Sequence, residues 1–247
     1  MIMKEKTIGC LNCDTTRIRV LNGSHLKLIA VLSMLIDHIA LFLLPKYPEF
    51  NILLFSLLGR NITVMYLMRY VGRIAFPIFC FLITEGYIHT SNRKKYGINL
   101  FVFAFISEIP FDYAFSGGIF YNKQNVFFTL LFGYLSICLY EKFKNKPIIS
   151  GALFMLLILI SELFKADYGT RGVLMILLLY VLRNQNILKS ITGMVLLNKG
   201  IKCIVTFIPI CMYNGKRGFI KGKALKYSFY VFYPLHLAII GMIRWML

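Results

Sequence analysis

The chain has 247 residues, of which 58% are hydrophobic and 15% are charged, and its apolar runs recur at bilayer-spanning length. A soluble domain is excluded, because the longest polar stretches, residues 1–25 and 214–226, are too short to bury a core. The 28 basic and 10 acidic residues give a net charge of +18, and these cations fall mostly in short loops, as is typical of cytoplasmic loops rather than of nucleic-acid binding. We expect an all-α, polytopic transmembrane bundle of about seven to nine membrane helices, some of them short, broken or interfacial.

The polar N-terminal segment, residues 1–25, is predicted to precede a single transmembrane domain, residues 26–247. Basic residues outnumber acids in this segment, which indicates a cytoplasmic N-terminus. Cys10 and Cys13 form a C-x-x-C pair, but no second pair or histidine follows at zinc spacing, so we expect no metal site. The first apolar run lacks a small-residue cleavage site and is expected to stay as an anchor.

The first predicted span, residues 26–44, carries Asp37 and His38 inside it. A charged group at a helix centre in lipid costs about 3 kcal/mol, so ionisable residues there indicate function. Lys27 precedes His38 by eleven positions, which places both side chains on one helix face, about 16 Å apart along the axis. This spacing suits a polyanionic donor that binds at the membrane surface and reaches inward.

Further spans follow in chain order. Residues 50–68 are interpreted as interfacial, and the second span contains Arg73 and Glu85. The third contains Glu108 and Asp112 around Pro110, and Asp167 lies in the loop before the sixth. The second to sixth spans are residues 72–88, 98–114, 125–140, 148–164 and 173–182.

Residues 191–212 allow two interpretations. They either cross once or form a re-entrant pair of short helices that is interrupted at residues 198–200. We favour the pair, because it keeps the basic residues of segment 214–226 on the cytoplasmic side. The last span, residues 227–247, contains Tyr233 and His236.

Two basic motifs have the geometry of phosphate sites. Arg69 and Arg73 are four residues apart, so they share a helix face and can clamp phosphoryl oxygens. Lys216 and Arg217 lie between glycines in Tyr-Asn-Gly-Lys-Arg-Gly, residues 213–218, which allows close backbone approach to a ligand.

The group that orients His38 is predicted to come from another span. Asp37 is its neighbour on the same helix, and adjacent helical side chains do not face each other. Glu85 and Glu108 are the available carboxylates.

The sequence resembles the TraX family of multi-pass membrane proteins, whose name-giving member acetylates the N-terminus of F-type conjugative pilin. The resemblance covers nearly everything after residue 25. It is carried, in chain order, by LKLIAVLSMLIDHIALFLLP from Leu26, GRIAFPIFCFLITEGY from Gly72, SEIPFDYAF from Ser107, NVFFTLLFGYL from Asn125, DYGTRGVL from Asp167, YNGKRG from Tyr213 and FYVFYPLHL from Phe229.

The Lys27–His38 spacing is also similar to the basic-residue-x10-His pattern of the wider superfamily of transmembrane acyltransferases. That superfamily includes the lysosomal heparan-glucosaminide N-acetyltransferase and bacterial polysaccharide O-acetyltransferases. The resemblance implies acetyl-CoA as the cytoplasmic donor and His38 as the base or transient acetyl carrier.

The candidate site therefore has three sets of residues. The catalytic set is His38, Asp37, Glu85 and Glu108. The donor-binding set is Lys27, Arg69, Arg73, Asn214, Lys216 and Arg217. Further pocket residues are Asp112, Asn125, Asp167, Tyr233 and His236.

The resemblance implies acetyl transfer in a bacterial inner membrane, from acetyl-CoA to an amine of a peptide such as a pilin, with the lipid bilayer as surroundings and no nucleic-acid partner. A glycan O-acetyltransferase, a proton-coupled transporter and a non-catalytic scaffold are alternatives. Convergence of Arg69, Arg73 and residues 213–218 on one mouth would favour the enzyme over a transporter, which has less need of such a cluster. A scaffold would not require Asp37 and His38 in mid-helix.

Overall fold

The computed structural model describes residues 19–57, 59–197 and 204–246. Cys10, Cys13 and the predicted break at residues 198–200 lie outside this part of the chain. The helices are α1 (Gly23–Phe42), α2 (Val64–Gly72), α3 (Ala75–His89), α4 (Arg93–Ser116), α5 (Val126–Lys142), α6 (Pro147–Leu163), α7 (Gly169–Val181), α8 (Asn186–Leu197), α9 (Ile204–Cys211) and α10 (Lys223–Met246). Two short strands, β1 (Leu53–Leu57) and β2 (Arg60–Thr63), pair antiparallel.

The chain folds as the predicted polytopic helical bundle. Within the described residues, four helical segments are long and apolar enough to cross a membrane: Gly23–Phe42, Val64–His89, Arg93–Ser116 and Lys223–Met246. Helices α6 and α7 are shorter apolar helices, and α5 packs between α3, α4, α6 and α7. Residues 50–68 contain the β1–β2 hairpin and the start of α2, and their interfacial placement stays a prediction.

Helices α1, α4 and α10 run in the same direction. At one end of α1, the Gly23 amide donates to the Lys216 carbonyl in the segment before α10. At the other end, Lys46 Nζ donates to the carbonyl of Arg244 at 2.7 Å, and the Arg244 guanidinium donates to the Ala114 carbonyl near the end of α4.

Helices α3, α5 and α7 run the opposite way. Tyr87 of α3 lies against Tyr134 of α5 and Tyr180 of α7, with ring centroids 5.7 and 5.4 Å away. The Tyr134 hydroxyl donates to the carbonyl of Arg93, the first residue of α4, so these three helices end where α4 begins.

Helix α8 begins and helix α9 ends at the same end of the bundle. Lys189 in α8 lies 5.8 Å from the ring centroid of Phe81, and Tyr213, just after α9, lies 5.2 Å from the same ring. This arrangement agrees with the predicted re-entrant pair and not with a single crossing.

The two ends of the bundle differ in charge. We call the end where α1, α4, α6 and α10 begin the basic end, and the opposite one the far end. Cations at or near the basic end are Arg19, Lys27, Arg93, Lys94, Lys95, Lys142, Lys144, Lys146, Arg183, Lys189, Lys216, Arg217, Lys221, Lys223 and Lys226. The far half is more balanced, with the acids Asp37, Glu49, Glu108, Asp112, Glu162 and Asp167 beside the cations Lys46, Arg69, Arg73, Lys123, Lys165, Arg171 and Arg244. The acids Glu85 and Glu141 lie towards the basic end.

Candidate functional site

The loop at residues 213–218 is fixed to the start of α1. The Ser24 hydroxyl donates to the Arg217 carbonyl at 3.2 Å and accepts from the Ile220 amide at 2.8 Å. The side chain of Asn214 accepts from the Lys216 amide, so Asn214 shapes the loop. The side chains of Lys216 and Arg217 remain exposed. The basic end therefore presents two accessible cations beside the first turn of α1.

Lys27 belongs to the same cluster of cations. It lies one turn into α1, is half-buried, and is close enough to Arg217 and Lys226 to feel their charge. Its ammonium is 5.9 Å from the ring centroid of Phe229, which places it on the side of α1 that faces α10.

Arg69 and Arg73 do not join this cluster. The Arg69 guanidinium forms an ion pair with Asp37 at 2.6 Å. Asp37 is fourteen residues beyond Gly23, which is about 21 Å along α1. Arg73, at the end of α2, lies in the same half of the bundle as Arg69. The prediction that both arginines share a mouth with Lys216 and Arg217 is therefore wrong.

His38 lies in the half of α1 nearer the far end, and its side chain faces α10. Its Nδ1 atom is 2.7 Å from Nε2 of His236, and the two rings are parallel within 5°. Lys27 and His38 thus both face α10, which confirms the predicted shared helix face. Phe42 and Tyr233 enclose the His38 ring with centroids 5.7 and 6.4 Å away.

Neither predicted carboxylate orients His38. Glu85 lies towards the basic end, where it pairs with His89 at 3.3 Å and accepts a hydrogen bond from Tyr213. That position is roughly 20 Å from His38 along α1. Glu85 is therefore removed from the catalytic set.

Glu108 has a structural partner instead. It accepts hydrogen bonds from the backbone amide of Asn125, at 3.3 Å, and from the side-chain amide of the same residue. Asn125 is the N-cap of α5 and also donates to the Ala104 carbonyl at 2.7 Å. Glu108 thus fixes the start of α5, where a negative charge is favourable. Asp112, one turn later on α4, is buried in the same region.

The turn between α6 and α7 is pinned by its backbone. The Gln124 amide donates to the Lys165 carbonyl and the Asp167 amide donates to the Gln124 carbonyl, both at 3.1 Å. The Tyr168 amide donates to the Thr129 hydroxyl. The backbone amides of Asp167 and of Tyr168 are therefore both hydrogen-bonded, which fixes the position of Asp167.

The Asp167 side chain belongs to a polar cluster with Asp37, Arg69 and Lys123. It is exposed by surface area, yet protein encloses it enough that burial raises the pKa of its carboxyl. Lys123 and Arg69 oppose that rise in pKa, and Asp37 adds to it. His38 is likewise partly accessible although the bundle surrounds it. Asp167, Lys123, Asp37 and Arg69 therefore form one polar cluster in the far half of the bundle.

Two residues at this polar cluster were not predicted from the sequence. Tyr168 stacks on Phe76 and its hydroxyl feels the charges of Asp167, Asp37 and Arg69. Among the neighbouring cations, Lys123 has the largest lowering effect on the pKa of Asp167. The signal for Tyr168 was its position beside Asp167 in Asp-Tyr-Gly-Thr-Arg-Gly, whereas Lys123 sits in a loop without any motif.

This arrangement has the parts required for proton transfer. An imidazole pair can accept and hold a proton, and the neighbouring carboxylates can bind a cationic group. Asp112, Asn125, Asp167, Tyr233 and His236, the predicted further pocket residues, all lie in the same half of the bundle as His38.

Comparison with known proteins agrees with the sequence motifs. The family profile described as "TraX protein" matches residues 22–244. The chain is also similar to a probable fimbrial assembly protein FimC, serogroup H1, of Dichelobacter nodosus, with 27% identity over 251 residues, covering 87% of this chain and 92% of the relative. No solved structure matches the chain. The profile match spans α1 to α10 and includes both histidines of the pair, and on this basis the chain belongs to the TraX family.

Proposed function

We propose that this protein is an integral membrane acetyltransferase that transfers the acetyl group of cytoplasmic acetyl-CoA to an amine, with the N-terminus of a pilin or similar fimbrial peptide as acceptor. Membership of the TraX family and similarity to a protein named for fimbrial assembly support this class of acceptor. The geometry of the bundle supports donor binding at the basic end and acceptor binding in the far half.

The basic end is the proposed donor side. Loops rich in lysine and arginine stay in the cytoplasm, so this end faces the compartment that holds acetyl-CoA. Lys27, Lys216 and Arg217 would bind the phosphates of coenzyme A. From Lys27 the α1–α10 seam leads to His38 over about 16 Å, a length that an extended pantetheine arm can cover.

The polar cluster around Asp167 is the proposed acceptor side. A protonated α-amine would approach the accessible carboxylate of Asp167, which favours an amine over a neutral sugar hydroxyl. The ammonium would lose one proton to water and become the neutral amine, and His38 would remove a second proton as the nitrogen attacks the thioester carbonyl. In this scheme Asp37 holds Arg69, and Glu108 supports α5 from a distance.

One observation carries the proposal. Helix α1 bears Lys27 of the cation cluster near the basic end and the partly accessible His38 in the far half, and both side chains face α10. A donor can bind at one end of this helix while its reactive group reaches the other.

The test is an acetyl-transfer assay on the reconstituted protein. Vesicles receive isotopically labelled acetyl-CoA and a synthetic peptide with a free N-terminus, and mass spectrometry reports the gain of one acetyl group. The wild type should acetylate the α-amine, and His38→Ala should lower the rate at least about a hundredfold. His89→Ala, which alters an exposed histidine at the basic end, is the matched control and should retain activity.

Other results would redirect the proposal. Full activity of His38→Ala would exclude its role as base. Acetylation of an added oligosaccharide but not of the peptide would identify a glycan O-acetyltransferase. The sequence favoured an enzyme over a proton-coupled transporter if Arg69 and Arg73 converged with Lys216. Because these arginines lie apart from Lys216, the transporter needs its own test. A pH-sensitive dye inside the same vesicles therefore runs in parallel, and proton flux without acetyl transfer would identify a carrier.

A further inference from the structure

The hydrogen bonds of the histidine pair define its tautomers. His236 Nδ1 lies 2.8 Å from the carbonyl oxygen of Phe232, one turn earlier in α10. A carbonyl oxygen only accepts, so Nδ1 of His236 carries the hydrogen. In the neutral ring, Nε2 of His236 is then a lone-pair acceptor.

The same argument extends to His38. Its Nδ1 is 2.7 Å from Nε2 of His236, so with both rings neutral His38 must donate this hydrogen bond. The lone pair of His38 is thereby left on Nε2. The Phe232 carbonyl on α10 thus determines that Nε2, and not Nδ1, is the basic nitrogen of His38 on α1.

We propose, on the basis of the function proposed above, that His236 is a positioning residue that fixes His38 in the tautomer with a basic Nε2 and shares the proton that His38 receives. In serine hydrolases a carboxylate performs the first of these tasks for the catalytic histidine. In the described part of this chain, the hydrogen-bond partner of His38 is another imidazole, that of His236.

The proton balance of the step is complete. The amine nitrogen forms a bond to the thioester carbonyl carbon, and its proton passes to Nε2 of His38. The Nδ1 proton of His38 shifts towards Nε2 of His236, which spreads the positive charge over two rings. When the carbon–sulfur bond breaks, the proton returns by the same path and leaves with the thiol of coenzyme A. The products are the amide and the free thiol.

A second neutral ring suits the surroundings of His38. The nearby cation is Arg69 of α2, which is bonded to Asp37, and the neighbouring side chains on α1 and α10 are Phe42 and Tyr233. A localised imidazolium among these groups would be poorly solvated, and sharing its proton with His236 reduces that penalty.

The first experiment measures the tautomers directly. Nitrogen-15 NMR of histidine-labelled protein in detergent distinguishes protonated from unprotonated ring nitrogens, and His→Gln variants at positions 25, 38, 89 and 236 assign the four histidines. We expect His38 to carry its hydrogen on Nδ1, and His236→Leu to abolish this preference. The reverse tautomer at His38 in the wild type would overturn the proposal, and this readout does not depend on any activity.

The second experiment separates positioning from packing. His236→Leu should lower kcat about 10- to 100-fold with little change in KM for acetyl-CoA. His236→Gln should recover much of this loss, because its side-chain oxygen can accept from His38 Nδ1, but it should stay below the wild type, because an amide does not take the proton. Equal rates for His236→Leu and the wild type, or for the Leu and Gln variants, would refute the role. A wild type that shows no acetyl transfer would instead refute the proposed function and leave the NMR result standing.

Discussion

At the scale of single residues, the charged groups near His38 are arranged as pairs. Asp37 and Arg69 neutralise each other, and Glu108 is engaged by Asn125. Asp167 differs in its greater exposure, and burial by the surrounding protein raises the pKa of its carboxyl. A carboxylate that the fold holds in an unfavourable environment is typical of binding and catalytic sites.

This difference predicts how stability depends on pH. The pKa of Asp167 is higher in the folded than in the unfolded protein, so the folded state binds the proton more tightly. Ionisation of Asp167 therefore costs stability as pH rises from about 4, the ordinary value, through the raised pKa. Asp167→Asn should raise the apparent thermal midpoint in detergent at pH 7, and the gain should vanish near pH 4.

The control for this measurement is Glu49→Gln, which removes an exposed carboxylate near the start of the hairpin and should leave the midpoint unchanged at both pH values. An Asp167→Asn variant that is less stable than the wild type at neutral pH would show that the carboxylate is a structural anchor and not a strained functional group.

At the scale of elements, the break between α2 and α3 decides where Arg69 lies. Pro77 lacks the amide hydrogen that would bond to the carbonyl of Arg73, so the helix is interrupted at Arg73 and Ile74. The interruption lets α2 pack closely against α1. Gly72 is at the contact, and a Cβ there would lie 2.2 Å from the Cβ of Asp37.

A methyl group at Gly72 should therefore separate these two helices. Gly72→Ala is expected to lower the unfolding free energy by about 1–3 kcal/mol, as overpacking does, and to disturb the Asp37–Arg69 pair. Gly151→Ala in α6 is the matched control, because a Cβ there meets nothing within 4 Å, and it should be neutral or slightly stabilising. Thermal unfolding in detergent measures both. Equal stability of the two variants would mean that the α1–α2 contact is not tightly packed.

At the scale of the whole molecule, the unequal distribution of charge between the two ends predicts sidedness. Acetyl-CoA carries several negative charges and does not cross a bilayer, so the proposed function requires that the donor be supplied at the face that holds Lys216 and Arg217. Inverted membrane vesicles, which expose the cytoplasmic face, should acetylate a peptide when acetyl-CoA is added outside. Right-side-out vesicles should not.

Variants at the basic end refine this prediction. The double variant Lys216→Ala, Arg217→Ala should raise KM for acetyl-CoA about tenfold in inverted vesicles, since each removed cation weakens phosphate binding. Lys144→Ala, Lys146→Ala removes two cations from the α5–α6 loop at the same end and serves as the control for net charge. An equal rise in KM in both double variants would indicate general attraction rather than a donor site.

The sequence by itself determined the helical bundle, the positions of most helices, the polar His38 inside the first of them and the family. These features follow from local quantities: the hydropathy of a segment, the charge of a loop and the spacing of residues along one helix.

Only the tertiary structure decided which groups meet. His38 and His236 are 198 positions apart, Arg69 binds Asp37 rather than a phosphate at the basic end, and Glu85 and Glu108 serve other partners. The physical reason lies in the lipid. A helix of a soluble protein shows its inward face by an apolar stripe, whereas a membrane helix is apolar all round, so its sequence does not tell which neighbour each face will contact.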